Sequence, residues 1–306
     1  MQTKVFIVIV SYNGMPWLPK CLRSCNPFNI IVVDNNSSDG TVAFIQEEFP
    51  EITILQQNTN LGFGAANNIG ISYALKKGAE YVFLLNQDAY LEQNTLNNLI
   101  KTHKENNSYG ILSPIHLNGT GTKLDNNFSK YIKENEVLRN DALKQLFSQQ
   151  IYDLPFVNAA AWLLPRKTIE KIGGFDPIFY HRGEDDNYCQ RILYHGIKLG
   201  VVPETHVWHD RELRTKMMYK NNTEKLIRYE RALKQALANI NIEIESNIRI
   251  KKQIIVKTIL KSLISLMFID AIFNLNKYRI LNTILPEIKY SRKKNKEVGL
   301  HYLEEL

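Results

Sequence analysis

The chain has 306 residues, 44% of them apolar and 23% charged, which excludes a disordered chain and leaves ample material for a core. Its net charge of +7 is unevenly spread: residues 1–210 carry 18 Lys and Arg against 21 Asp and Glu (−3), residues 211–306 carry 20 against 10 (+10). The chain is therefore a slightly acidic body with a basic tail, not a uniformly basic nucleic-acid binder. Three cysteines (Cys21, Cys25 and Cys189) are too few for a closed disulfide framework and fit a reducing compartment. Cys21 and Cys25, one helical turn apart without a His or Cys cluster beside them, read as packing residues.

Val5–Val10 is a continuous, β-branched apolar run, too short for the core of a signal peptide, and reads as a strand buried on both faces. A helix is predicted from about Pro16 to Cys25, then a strand at Ile30–Val33 ending on Asp34. Ser38-Asp39-Gly40-Thr41 leads into a helix carrying Val42, Phe44, Ile45 and Phe49, and Ile52–Leu55 is a third strand. After Asn60–Gly64 a helix runs to Gly78, and Tyr81–Leu85 is a fourth strand ending at Asn86-Gln87-Asp88. Strands alternating with helices predict an α/β fold with a mainly parallel, Rossmann-like sheet flanked by helices.

Polar residues collect where these strands end: Ser11 to Asn13, Asp34 to Asn36, and Asn86 to Asp88. In open α/β sheets that rim binds ligands. Asn35, Ser37 and Ser38, taken singly, read as turn and cap residues. Acidic residues ending two strands on one rim are not explained that way. The turn after the first strand holds one glycine, so G-x-G-x-x-G is absent, and no G-x-x-x-x-G-K-[ST] occurs. Dinucleotide oxidoreductases and P-loop NTPases are thereby unsupported.

The ordered set Val10-Ser11-Tyr12-Asn13, Val32 to Thr41, Asn60 to Gly70, Leu85-Asn86-Gln87-Asp88-Ala89, Gly173-Gly174-Phe175-Asp176, Gly183-Glu184-Asp185-Asp186 and Pro203 to His209 resembles the family 2 glycosyltransferases. Within them the chain is similar to the bacterial rhamnosyltransferase-like group. The resemblance spans residues 3–210. It implies a GT-A fold and inverting, metal-dependent transfer of a sugar from a nucleotide diphosphate to an acceptor hydroxyl.

Such a displacement needs a base for the acceptor proton and positive charge for the departing diphosphate. The resemblance places Asp88 in the metal motif, with Asn86 where an acid often stands, and His209 as the second ligand of Mn²⁺ or Mg²⁺. It places the base at Asp185, with Glu184 positioning the acceptor. Crowding by Glu184 and Asp186 is expected to raise the pKa of the base. Acids in the first turn of a helix over Asn187 to Tyr194 also complement its dipole. Ser11, Tyr12, Asp34, Asn67 and Asn86 fall on the nucleotide-sugar side, where Asp34 suits the imide N–H of uracil or thymine. The donor is therefore expected to be a UDP- or dTDP-sugar. Asn158-Ala159-Ala160 lies where relatives place a small turn against the donor sugar, and residues 116–150 read as an acceptor-side insertion.

The resemblance divides the chain into a glycosyltransferase domain at 1–215 and a basic helical region at 216–306. There, Leu226 to Ile242 is a predicted helix. Ile254 to Leu275 reads either as an amphipathic helix at an anionic membrane surface or as one packed on the body. The expected partners are a nucleotide sugar, a cell-surface glycan or lipid-linked acceptor and an anionic membrane, not nucleic acid. The expected place is the cytoplasm, at the cytoplasmic face of the inner membrane. The alternative is an inert sugar-nucleotide or glycan-binding module of the same fold, favoured only by Asn86 and Asn187.

Overall fold

The computed structural model describes residues 3–144, 146–211 and 221–304. The chain divides into a unit of residues 1–214 and 298–306 and a second unit of residues 215–297. In the first unit, β1 (Val5–Ser11), α1 (Leu18–Ser24), β2 (Asn29–Asp34), α2 (Thr41–Glu48), β3 (Thr53–Gln56), α3 (Phe63–Lys76) and β4 (Tyr81–Asn86) alternate in the expected order. They are followed by β5 (Ala89–Leu91), α4 (Thr95–Glu105), β6 (Tyr109–Asn118), α5 (Phe128–Tyr131) and α6 (Glu136–Lys144). Then come β7 (Tyr152–Asp153), β8 (Ala161–Pro165), α7 (Arg166–Ile172), α8 (Glu184–Tyr194) and β9 (Lys198–His209).

These strands form one sheet in the order β3-β2-β1-β4-β8-β6-β9-β5, with β7 paired to β9. The four strands read from periodicity, β3-β2-β1-β4, are wholly parallel. Beyond it the directions mix: β8 runs antiparallel to β4 and β6, while β6 and β9 run parallel.

The unbroken apolar runs of β1, β2 and β4 reflect burial on both sheet faces. Val8, Ile31, Val33, Val82 and Leu84 join the core on one face, with Ala66, Ile71 and Ala74 of α3. Ile7, Ile9, Val32, Phe83 and Leu85 join the other, with Leu18 and Leu22 of α1 and Leu96 and Leu99 of α4. Cys21 and Cys25 pack in that second core and Cys189 in the first. A Cβ at Gly70 would come within 2.4 Å of Val8 Cγ1, so the missing side chain lets α3 lie close on β1. Register then fixes the rim: Ser11 pairs with Asp34, and Val10 with Asn86.

The second unit holds α9 (Asn222–Leu237), α10 (Glu245–Ile264) and α11 (Phe268–Asn295). The single helix expected over Ile254 to Leu275 is two. The chain breaks at Ser265–Met267, where Leu266 takes a left-handed φ of 56°, and Asp270 falls in the first turn of α11, favourable to its dipole. The helix expected to end at Ile242 stops at Leu237, since Arg292 donates to the carbonyls of Leu237, Asn239 and Ile242 and holds the following segment as a loop. The basic region also does not run to the chain end as one body. Residues 298–304 belong with the first unit, where Leu300 and Leu303 pack on its core and His301 O accepts from Gly174 N at 2.8 Å. Among the described residues, no helix is long and apolar enough to cross a membrane.

Candidate active site

The turn after β1 is held by side chains from the neighbouring strand ends. Gln87 Oε1 accepts from Ser11 Oγ (2.9 Å) and Tyr12 N (3.0 Å), and its Nε2 donates to Tyr12 O (3.2 Å). Asn13, at a left-handed φ of 48°, accepts from Ser38 N at 2.9 Å, while Met15 N donates to Asp39 at 3.0 Å. Tyr12 is left 48% exposed above this rim. Asp34 is buried. Its Oδ2 accepts from Ser37 N at 3.0 Å, and its Oδ1 has no hydrogen-bond partner among the described residues.

Asn35 organises the loop before α3: it donates to Asn60 Oδ1 (3.0 Å) and accepts from Leu61 N (2.8 Å). Gly62 is needed there twice over, because φ is 81° and a Cβ would meet Tyr180 O at 2.0 Å. Asn67 lies buried in the first turns of α3, donating to Phe63 O at 2.9 Å. Its neighbour Asn68 grips Phe175 at both backbone groups, N at 2.7 Å and O at 2.8 Å. That clamp ties α3 to the segment leading into α8.

Asp88 and His209, 121 positions apart in sequence, meet: His209 Nε2 stands 3.4 Å from Asp88 Oδ1, both side chains buried. Pairing of β6 with β9 skips Pro203 to Thr205, and this bulge re-aims the end of β9. His206 consequently faces Glu92 at 2.9 Å while His209 faces inward. Asn86 Nδ2 lies 3.5 Å from His209 Nε2. Arg211 Nε lies against the His209 ring, 3.2 Å from Nε2, and 3.5 Å from Asp125 Oδ2. The insertion thus reaches the site through Asp125, which also accepts from Phe128 N, and through His116, stacked on Phe128 at 4.7 Å. Burial, then the charges of His209 and Arg211, hold His116 well below the ordinary histidine range, so it is a neutral wall.

Opposite stand the acids of α8, which begins at Glu184. Glu184 is buried, its Oε2 lacks a partner among the described residues, and burial followed by the charge of Asp185 pushes its pKa up to about 7. Asp185 is half-buried and accepts from Asp186 N at 2.9 Å. Its pKa is raised mainly by burial, rather than by the crowding expected from sequence, and is opposed by backbone N–H groups of Asp186 and Ala159. Ala160 O accepts from Asn86 N at 2.9 Å, so Asn158–Ala160 bridges the end of β4 and the acids of α8. Asn158 is buried, and its Oδ1 has no partner among the described residues.

The sequence of this chain matches a known family. The sequence pattern described as Glycosyl transferase family 2 fits residues 6–173, more than half of the chain. The chain belongs to that family. Among relatives of this glycosyltransferase, dTDP-rhamnosyl transferase RfbF of Shigella flexneri is 23% identical over 216 residues, covering 68% of this chain and 70% of that protein. Rhamnosyltransferase WbbL of Escherichia coli (strain K12) is 25% identical over 221 residues, 67% and 83% of the two chains. Of solved structures, mannosyltransferase PcManGT from Pyrobaculum calidifontis in complex with GDP-Man and Mn²⁺ superposes with a TM-score of 0.54 at 20% identity. That match covers 78% of this chain and 64% of that one. TarS 1-349 of S. aureus in complex with UDP gives 0.51 at 13% identity, covering 93% and 92%. The glycosyltransferase therefore has the GT-A fold.

Among the described residues no cluster of three or more His, Cys, Asp or Glu is poised for a metal. The pair Asp88 and His209 still fits a small divalent cation. Two ligands at about 2.1 Å on adjacent octahedral positions stand about 3 Å apart, close to the 3.4 Å observed, and Mg²⁺-type sites commonly take one or two carboxylates, here Asp88, plus substrate phosphates. Sequence reading missed Gln87, Asn68, Asp125 and Arg211. Gln87 and Asn68 stood inside the quoted motifs, while Asp125 and Arg211 carried no local signal.

Proposed function

We propose that this family 2 glycosyltransferase moves a sugar, with inversion, from a UDP- or dTDP-sugar to a hydroxyl of a cell-surface glycan or lipid-linked acceptor. The observation that carries the reading is convergence. The Asp88–His209 pair, the Glu184–Asp185 dyad and the Asn158–Ala160 bridge come together on the rim where Asp34 and Tyr12 end the nucleotide side.

In this reading the pyrimidine lies by Tyr12, and Asp34 Oδ1 accepts its imide proton. Ser11, Asn67 and Asn86 line the path toward the ribose and diphosphate. Asp185 takes the proton of the acceptor hydroxyl as that oxygen bonds to the anomeric carbon from the face opposite the departing nucleoside diphosphate. Its raised pKa makes it a stronger proton acceptor than an ordinary carboxylate. Glu184, beside it, orients the acceptor. A Mn²⁺ or Mg²⁺ ion held by Asp88 and His209 would neutralise charge developing on the diphosphate. Arg211 brings a second positive charge to the same place. The basic helical unit, net positive along α10 and α11, is read as the part facing an anionic membrane at the cytoplasmic surface, where a lipid-linked acceptor would be met.

Transfer across a panel of UDP-, dTDP- and GDP-sugars, with and without Mn²⁺, tests the reading. Metal-stimulated turnover of a pyrimidine-linked sugar with an inverted anomeric product is expected. An absence of turnover with every donor, despite donor binding, would leave the inert binding module as the account.

A further inference from the structure

The α10–α11 link is a tight turn of Ser265–Met267, and Lys289 of α11 reaches Glu245 of α10 at 2.9 Å, so the two helices run antiparallel as a hairpin. Its closed end is apolar and uncovered. Ile264 is 84% exposed, Leu266 74% and Ile269 75%, with Met267, Phe268 and Ile272 exposed beside them. Soluble surfaces rarely concentrate large apolar side chains this way without a partner. Leu266 sharpens the point: it occupies a left-handed φ of 56°, a conformation that glycine adopts at no steric cost and leucine does not. A bulky apolar side chain stands at the tip although neither core packing nor backbone geometry calls for it.

The charges select the occupant. Residues 245–295 hold 11 Lys and Arg against 3 Asp and Glu. On the tip side, Lys257, Lys261, Lys277 and Arg279 face a single acid, Asp270. At about 1.5 Å per residue, Lys257 lies about 10 Å behind Ile264 along α10. That distance sets the lysine at headgroup level when the tip enters the acyl boundary by the ~5–10 Å usual for interfacial elements. Lys261, nearer the tip, has a stem long enough to reach the same level.

We propose that the α10–α11 tip, Ile264 to Ile272, inserts into an anionic phospholipid surface as a wedge, with Lys257 and Lys261 on the headgroups. This rests on the membrane-facing reading of the helical unit and deepens it, replacing a helix lying flat by a hairpin entering tip first.

The test is co-sedimentation of the full chain with phosphatidylcholine vesicles, with and without phosphatidylglycerol, alongside the exposed-site triple variant Ile264→Ser/Phe268→Ser/Ile269→Ser. Wild type should partition onto the anionic vesicles, and the triple variant should bind them about a hundredfold more weakly. Transfer to a water-soluble acceptor should stay unchanged in that variant, which separates loss of membrane contact from loss of the enzyme. Emission from Phe268→Trp, read as the difference from wild type with its three Trp, should shift to the blue on vesicles and be quenched by acyl-brominated lipid. Undiminished binding by the triple variant overturns the tip while sparing the broader membrane reading. Failure of wild type to bind any vesicle overturns both. A concentration-dependent dimer abolished by the triple variant, with vesicles ignored, would assign the patch to a second copy of this chain instead.

Discussion

The two halves of the rim, the proposed nucleotide side and the proposed reaction side, are built on opposite principles. On the nucleotide side, almost every polar side chain is committed to a neighbour: Gln87 to the turn after β1, Asn13 to Ser38, Asn35 to the loop before α3. On the proposed reaction side, Glu184 is buried with Oε2 unpartnered among the described residues, Asp185 is half-buried, and both have pKa values raised chiefly by burial. A binding surface benefits from a fixed shape. A proton acceptor benefits from a carboxylate whose ionised form is costly, because that cost is relieved when the proton arrives.

The largest expected effect breaks the reaction side alone. Asp185→Asn keeps the shape of the side chain and removes its basicity, so transfer should fall by about 10²–10⁴-fold while calorimetric affinity for the nucleotide stays put. Unchanged turnover would remove Asp185 as base. Turnover and donor affinity lost together would show that the halves are not separable.

Glu184→Gln probes the same side through stability. Between its ordinary value of 4.5 and its folded value of about 7, the native chain keeps a proton that the unfolded chain has released. Stability therefore falls as pH rises through that window, and the full cost, at most about 3 kcal/mol, stands above it. The glutamine variant should accordingly unfold at a higher temperature than wild type at pH 8, with the gain vanishing below the ordinary carboxylate pKa. Melting curves across that range check the sign. A gain of equal size at acid pH would mean that burial of the charge is not its source.

How far the site was legible follows the same division. The strand ends at Ser11, Asp34 and Asn86 could be placed from continuous apolar runs, because a strand buried on both faces leaves that mark in sequence. Asp88, Asp185 and His209 were named only through an ordered set of motifs, since no local pattern says that residue 209 will meet residue 88. The bulge at Pro203 to Thr205 that turns His209 inward is a property of strand pairing and leaves no periodic trace. Asp125 and Arg211 were invisible for the same reason: the first comes from an insertion without clear periodicity, the second from just past the end of β9. In the tail, the apolar periodicity over Ile254 to Leu275 marks helix but not the turn at Leu266, because a leucine is the last residue composition would nominate for a left-handed corner.

The smallest effect expected is the cleanest test of the nucleotide side. Gln87 touches the Ser11-Tyr12 turn through three hydrogen bonds, and none of its contacts there reaches the acids of α8. At about 0.5–1.5 kcal/mol for each net hydrogen bond, with water able to replace some of them on this open rim, Gln87→Ala should weaken donor binding about tenfold. It should raise KM for the nucleotide sugar and leave kcat nearly constant, because a mispositioned Tyr12 affects ground state and transition state alike. Gln87→Glu retains the oxygen that accepts from Ser11 and Tyr12 but sets a second carboxylate oxygen against Tyr12 O, so it should recover only part of the affinity. If Gln87→Ala instead lowered kcat with KM unchanged, the rigid turn would be part of the reaction machinery, and the division between a fixed binding half and a proton-accepting half would have to be redrawn around Asn86-Gln87-Asp88.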